Sequence, residues 1–370
     1  MTQILIDTSP LCENNLSGIG VYTLNFIKNV STQKNITPVF GLPLKKFKYK
    51  NKIEKIIENK VHLLPSLTSA TKFNIAINHG LDFKLSFPSR GKKIITIHDM
   101  AAFEPNLLDS NFAFNSRKKL YSNIENKKPD HIICVSNFTR ERFVHFFPHY
   151  EKKTSVIYLG CNHINNSSSS INKTTEAPYI LFVGNIEKRK NLKLLLDAFY
   201  ILKENKSELN LKIVGKLGYQ GQEILTLISN HKYKQFIETT GYVSNIDLLS
   251  LYENSRVFVY PSIYEGFGIP VLEAMMRKIP VVAVNKSAIS ELATGASLLV
   301  DPKYPEMMSY AIRKAHEDEF FRKVLIQEGY SRALQFTWKK CAGETFQVYQ
   351  NLMMEQTFNL FSIRENYNLI

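Results

Sequence analysis

Two carboxylates eight positions apart, Glu265 and Glu273, frame the stretch "YEGFGIPVLEA" from Tyr264 to Ala274. Between them stand Gly266, Phe267, Gly268 and Ile269, followed by Pro270. Proline suits a first helical turn because the N–H it lacks has no intrahelical partner there, so a helix is expected to begin near Pro270. Glycines just before a helix let backbone N–H groups approach an anion, and the helix dipole adds to that attraction. A carboxylate beside such a site is useful when the ligand also carries hydroxyls, whose hydrogen bonds it accepts. Glu265 in the loop and Glu273 about one turn into the helix therefore suit a ligand with hydroxyls at both ends and phosphates between. Paired catalytic carboxylates, as in glycoside hydrolysis, fit less well, because the helix turns Glu273 away from where a partner acid must stand. The plain alternative is a glycine-rich helix start without a ligand.

Three further stretches carry candidate chemistry. In "VGNIEKRKN", Val183 to Asn191, Arg189 and Lys190 follow a strand and are placed to flank phosphates, although adjacent basic pairs also occur on plain surfaces. In "TIHDM", Thr96 to Met100, His98 and Asp99 stand at the carboxyl end of a strand, the end where open parallel sheets bind ligands. A histidine there can hydrogen-bond a sugar or phosphate, act as acid or base, or be structural. In "SGIGVYT", Ser17 to Thr23, Gly18 and Gly20 match the first two glycines of a dinucleotide fingerprint, but Thr23 takes the third place. A phosphate or substrate loop, a plain flexible loop and, least favoured, a true dinucleotide fingerprint are the readings left. A nucleotide sugar offers hexose, diphosphate, ribose and base in the order these residues suit: Glu265 at the hexose, the loop amides at the phosphates, Glu273 at the ribose.

The elements that must position these residues follow a strand–crossover–strand rhythm. Apolar runs "ILID", "KIITIHD", "HIICVS" and "TSVIYLG" alternate with helical patterns in the first half. The polar stretch "NNSSSSINKTTEAP", Asn165 to Pro178, then interrupts, in the manner of a domain linker. The rhythm restarts with "YILFVGN", "LNLKIVGK", "KQFIETTGYV", "RVFVYPS", "IPVVAV" and "ASLLVDP". Parallel sheets covered on both faces read this way, so the expected fold class is α/β, with two doubly wound Rossmann-like domains facing each other across a cleft. The expected divisions are 1–165 for the first domain, 166–178 for the linker, 179–345 for the second domain, and 346–370 for a helical segment packing back on the first.

Composition is consistent with two cores: 370 residues with 44% hydrophobic content exceed what a single core usually holds. The 47 basic and 33 acidic side chains leave +14, which favours an anionic partner: nucleic acid, an acidic membrane surface or a phosphorylated substrate. Residues 1–165 carry 23 of the basic and 12 of the acidic side chains. The excess thickens in "PLKKFKYKNKIEKIIENK", Pro43 to Lys60, where Phe47, Ile53, Ile56 and Ile57 recur among lysines. Such a segment suits a helix lying on an anionic membrane, or simply a solvated lysine-rich helix. The start of the sequence reads as neither leader nor signal peptide, and no apolar run is long enough to cross a bilayer. Cys12, Cys134, Cys161 and Cys341 are scattered without metal-binding spacing, as expected of reduced thiols.

"EGFGIPVLE" resembles the Glu-x7-Glu motif of retaining GT-B glycosyltransferases, and the run from "GYVSN" through "IPVVAVN" resembles glycosyltransferase family 4. "YILFVGNIEKRKNLKLLLDAF" is similar to the start of that family's second domain, while "SGIGVYTLNF", "TIHDM", "ICVSNFTRERF" and the Trp338 segment resemble its other elements. The resemblance implies transfer of a hexose from a nucleoside diphosphate with retention, by front-face substitution in which Glu265 orients and does not attack. It places Glu265 with the amides of Phe267, Gly268 and Ile269 on the hexose and phosphate region, and Glu273 on the ribose. Arg189 and Lys190 would take the diphosphate, and Gly215, Tyr242 and Val243 the base. His98 with Gly18 and Gly20 would face the cleft from the first domain.

Asn185 stands where some relatives have an arginine, leaving phosphate charge to Arg189 and Lys190. No Asp-x-Asp motif is present, so no metal or other cofactor is expected. The motif style suggests GDP-mannose and a lipid-linked acceptor of bacterial surface polysaccharide such as O-antigen. dTDP-rhamnose, UDP-glucose and UDP-N-acetylhexosamine are alternative donors, and a non-catalytic nucleotide-sugar binder is the remaining class. A cytoplasmic protein, peripheral at the inner face of the membrane and without a nucleic-acid partner, is the expectation.

Overall fold

The computed structural model describes residues 2–33, 36–64, 73–108, 110–163 and 177–367, with backbone alone from residue 355 onward. Strand β1 (Thr2–Asp7) buries Ile4, Leu5 and Ile6 in succession, as a parallel strand covered on both faces must. Helix α1 (Gly18–Val30), β2 (Ile36–Pro43), α2 (Lys50–Ile57), β3 (Val61–Leu64), β4 (Ile75–Gly80) and β5 (Lys92–Ile97) follow. Then come α3 (Ser110–Tyr121), β6 (His131–Cys134), α4 (Asn137–Phe146) and β7 (Thr154–Val156). These strands form a seven-stranded sheet in the order β3-β2-β1-β4-β5-β6-β7, paired in parallel.

A second parallel sheet has the order β10-β9-β8-β11-β12-β13. It is built from β8 (Tyr179–Val183), β9 (Asn210–Val214), β10 (Ile237–Gly241), β11 (Val257–Tyr260), β12 (Val281–Val284) and β13 (Leu298–Val300). Helices α5 (Leu192–Glu204), α6 (Gly221–Ser229), α7 (Asn245–Glu253), α8 (Ile269–Met276) and α9 (Ser287–Ala293) make the crossovers. α10 (Pro305–Glu317), α11 (Glu319–Ala333) and α12 (Trp338–Tyr367) close the chain. The molecule is therefore two Rossmann-like α/β domains. In each sheet the strand order reverses once, between β1 and β4 and between β8 and β11, and a crevice opens beyond the carboxyl ends of those pairs.

All six strands of the second sheet coincide with the runs read from the sequence. In the first sheet β2, β3 and β4 are additions, for reasons visible in their residues. β2 contains Pro38, Gly41 and Pro43, β3 has four residues, and β4 carries the polar but buried Asn78 and His79.

The lysine-rich segment also departs from the lipid-facing picture. Ile53 and Ile57, one turn apart on α2, pack into the core of the first domain, which stabilises it by roughly 2 kcal/mol per side chain. Leu44 and Phe47, just before α2, stay exposed. Helix α12 reaches back to the first domain, where the Tyr349 hydroxyl meets Nδ1 of His79 at 2.6 Å. Of the linker expected at 166–178, residues 166–176 lie outside the described residues, as do 368–370 of the closing segment.

Candidate functional site

The loops after β8 and β11 border the crevice of the second sheet and meet each other. After β8, Lys188–Lys190 form a single tight turn ended by Asn191 at φ 52°, a left-handed conformation that asparagine tolerates better than most residues. The Arg189 carbonyl accepts from the Ile263 N–H at 3.0 Å and the Ser262 hydroxyl at 3.2 Å, tying this turn to the loop after β11.

Glu265 is buried at the junction. Its Oε2 accepts from the Arg189 guanidinium at 3.0 Å, and its Oε1 from the Lys190 ammonium, the Tyr260 hydroxyl at 3.1 Å and the Ser262 hydroxyl at 2.6 Å. Burial pushes the Glu265 carboxyl up, but Lys190 and Arg189 pull it down further, to about 2. Burial likewise works against the Arg189 guanidinium, yet Glu265 and Glu187 hold it above its ordinary value. From the sequence, Glu265 was expected in the loop against a hexose and the two cations on phosphates. In the structure all three hold one another, because charges taken out of water must be paired.

Glu273 occupies a separate buried place on α8. One oxygen accepts from the Tyr252 hydroxyl at 2.9 Å and the other lies 3.0 Å from Nε2 of His163. Nδ1 of His163 accepts from the Trp338 indole N–H at 3.3 Å. Neither Tyr252 nor His163 carried a motif that sequence reading could use. Tyr260 and Ser262, five and three positions before Glu265 beyond a strand, carried a readable signal that was missed.

Across the cleft, the first domain brings its own strand ends close. The His98 ring donates from Nε2 to the Leu81 carbonyl at 2.9 Å, which leaves Nδ1 as its acceptor. Burial lowers the His98 pKa, so the neutral ring prevails near pH 7. Gly266 packs directly on this strand end: a Cβ there would stand 1.7 Å from the His98 carbonyl oxygen. His98 and Arg189 also border one cavity of about 300 Å³, with Ile19, Asp99, Phe103 and Glu187 among its other walls.

A larger cavity of about 550 Å³ opens between the domains. Gly184, Asn185, Gly215, Lys216, Tyr242 and Val243 line it from the second domain, and Glu13 to Ser17 from the first. Tyr242 is half exposed, with the Lys216 ammonium over its ring at 5.1 Å from the centre. Gly215 must be glycine, since its φ is 147° and a Cβ would stand 2.0 Å from the Gly184 carbonyl oxygen. Gly18 and Gly20 open α1 directly after Ser17, whose N–H donates to the Glu13 carboxylate at 3.1 Å. The structure thus gathers Glu265, Arg189 and Lys190, sets Gly266 against His98, and groups Gly215, Tyr242 and Val243. Gly268 and Ile269 lead into α8, Phe267 is buried against Tyr158 and Phe336, and Glu273 stands apart with Tyr252 and His163.

Residues 164–332 match the family of glycosyl transferases group 1. The chain is 28% identical to O-antigen chain mannosyltransferase B of Escherichia coli over 385 aligned positions, covering 95% of this chain and 100% of that one. It is 27% identical to O-antigen chain mannosyltransferase RfbU of Salmonella typhimurium, over 63% of each chain. Among solved structures, HepE of Anabaena in complex with UDP and glucose superposes with a TM-score of 0.74 at 17% identity, covering 94% of this chain and all of that one. Sucrose-phosphate synthase of Thermosynechococcus elongatus gives 0.73 at 16%, covering 96% and 100%. The group 1 match, the mannosyltransferase relatives and the shared architecture together support a GT-B glycosyltransferase, which implies a nucleotide-sugar donor and a saccharide acceptor.

Proposed function

We propose that the chain is a retaining hexosyltransferase that takes mannose from GDP-mannose and adds it to a lipid-linked saccharide of a bacterial surface polysaccharide such as O-antigen. The observation that carries this is the grouping of Glu265, Arg189 and Lys190 at the switch point of the second sheet, with Arg189 lining, together with His98 of the first domain, a cavity of about 300 Å³. In this reading the base stacks by Tyr242 and Val243 over Gly215, and Glu273 exchanges a protein partner for the ribose hydroxyls. Arg189, Lys190 and the amides of Phe267, Gly268 and Ile269 take the phosphates, while the Gly18–Gly20 helix start faces them from the first domain. Nδ1 of His98 accepts from a hexose hydroxyl.

The positive charge needed by the departing diphosphate comes from protein groups, so transfer proceeds without a metal. A carboxylate whose two oxygens already accept four hydrogen bonds, with a pKa of about 2, is a poor nucleophile. Glu265 therefore does not attack: its Oε2, which accepts from Arg189 alone, keeps an acceptor site that orients the hexose, and the acceptor hydroxyl enters on the face the diphosphate leaves, giving its proton to a phosphate oxygen. Support for mannose and for O-antigen comes from the names of the relatives, and support for a membrane-proximal acceptor from exposed Leu44 and Phe47 beside Lys45 and Lys48. Among the described residues no helix is long and apolar enough to cross a membrane, so contact would be peripheral.

A thermal-shift series with GDP, UDP, dTDP and ADP tests the donor, since binding to the folded state raises the melting temperature by mass action. GDP is expected to stabilise most. A larger shift with UDP or dTDP would replace GDP-mannose by another donor. Absence of nucleoside diphosphate release from any nucleotide sugar, with lipid-linked acceptors supplied and EDTA present, would remove the metal-independent transferase reading.

A further inference from the structure

We propose that the amino end of α4 is a latch by which the first domain sets the conformation of the Glu265–Gly268 loop, with Ser136, Thr139 and Glu291 as its positioning residues. The proposal deepens the transferase reading above and rests on it for its kinetic consequence.

Ser136 is the N-cap of α4. Its hydroxyl accepts from the Thr139 N–H at 3.0 Å and donates to the carbonyl of Gly266 at 2.7 Å. The Thr139 hydroxyl donates to the same carbonyl at 3.0 Å. Both side chains are buried, and both bonds cross from the first domain to the second.

The carboxylate of Glu291, on α9, takes the rest of the helix end. Its Oε2 accepts from the Phe138 N–H at 3.1 Å, and its Oε1 from the Asn137 N–H at 2.9 Å, the Asn137 amide at 2.7 Å and the Tyr158 hydroxyl at 2.5 Å. The N–H groups of Asn137, Phe138 and Thr139, which a helix cannot satisfy internally, are thus all satisfied. Two of them are satisfied by an anion from the other domain, which the helix dipole favours. At its own start, α9 grips the loop again: the Glu265 N–H donates to the Ser287 hydroxyl at 3.0 Å, and the Ala288 N–H to the Glu265 carbonyl at 3.3 Å.

The consequence follows from peptide geometry. In a trans peptide the carbonyl of Gly266 and the N–H of Phe267 lie in one plane and point in opposite directions, so two hydroxyls holding the carbonyl also fix where that amide points. Gly266 lacks a Cβ and contributes no conformational restraint of its own. Docking of the first domain through α4 therefore orders the loop that the proposed function places on the hexose and phosphates. Undocking releases it.

The test pairs the double variant Ser136→Ala/Thr139→Val with the conservative Ser136→Thr/Thr139→Ser. Amide hydrogen exchange over residues 264–269, read without nucleotide, reports the latch whether or not the protein transfers sugar. The double variant is expected to exchange about tenfold faster there, the measure of lost hydrogen bonds. Its kcat should fall by roughly tenfold or more, and nucleoside diphosphate affinity should weaken with it, since the Phe267 amide is among those placed on the phosphates. The conservative variant and the original should agree in both readouts, and Glu291→Gln should show a smaller rise in exchange. Unchanged exchange in the double variant overturns the latch, as does an unchanged kcat in a protein that transfers sugar. A wild-type protein that transfers no sugar, yet shows the exchange difference, overturns the transferase reading and leaves the latch standing.

Discussion

Glu265, Arg189 and Lys190 were each legible in the sequence as groups that meet a ligand, but their pairing with one another was not. Seventy-five positions or so separate the carboxylate from the cations, and only the parallel pairing of β8 with β11 brings the two loops together. The pairing changes what a substitution at Glu265 should do. Glu265→Gln keeps the shape but leaves the buried Lys190 ammonium without its carboxylate and Arg189 with Glu187 alone, a loss on the order of 3 kcal/mol. A fall in melting temperature at pH 7 is therefore expected alongside the fall in turnover, and calorimetry together with a transfer assay reads both. The pH dependence has a definite sign. The Glu265 pKa is about 2 when folded, below its ordinary value, so its contribution is present above about pH 4.5 and is lost as the pH falls toward 2. The glutamine variant should lack that part of the acid slope. An unaltered melting temperature at pH 7 would mean that the three groups are not paired in solution.

At the scale of elements, legibility followed burial. β8, β11 and β12 of the second sheet are short, apolar and buried almost throughout, and a run such as "VFVY" in β11 announces itself. β4 does not, because its Asn78 and His79 are buried polar groups satisfied by distant partners: Asn78 donates to the Phe87 carbonyl at 2.7 Å. The α2 segment was misleading for the opposite reason, since isoleucines at helical spacing fit a core as well as a lipid surface.

The loops between elements are governed by close approach, and Gly215 makes that testable. It follows β9 directly, where the loop after β8 passes, with the Gly184 carbonyl oxygen 2.0 Å from any added Cβ. Gly215→Ala should displace the wall beneath Tyr242 and Val243. Nucleoside diphosphate affinity is expected to fall by roughly tenfold or more, while far-UV circular dichroism stays unchanged. Titration calorimetry that returns the original affinity would show that the base does not sit in this cavity.

For the whole molecule, the clasp between α12 and the first sheet decides how the protein meets acid. The closing helix was legible as a segment that packs back on the first domain, but its partner was not, because His79 lies in a strand the sequence did not reveal. The His79 ring sits fully buried between the Tyr349 hydroxyl at 2.6 Å and the Thr96 hydroxyl at 2.9 Å, both neutral. Burial, with a minor push from His131 and His98, lowers its pKa to about 3, and burial lowers that of His131 to about 4. In the unfolded chain these rings take up a proton near pH 6.5. Between that value and their folded values the unfolded state binds more protons, so stability falls as the pH falls, by about 1.4 kcal/mol per pH unit for each fully neutral ring. Urea unfolding at pH 7, 6, 5 and 4, followed by circular dichroism and by fluorescence of Trp338, the sole tryptophan, should show that decline. His79→Gln offers the two hydroxyls a partner that does not titrate. It should be less stable than the original at pH 7 and lose one ring's share of the slope between pH 6 and 4. A variant that loses stability with the same slope would place the acid sensitivity elsewhere, whereas a flattened slope in both signals would identify the α12 clasp as what acid opens.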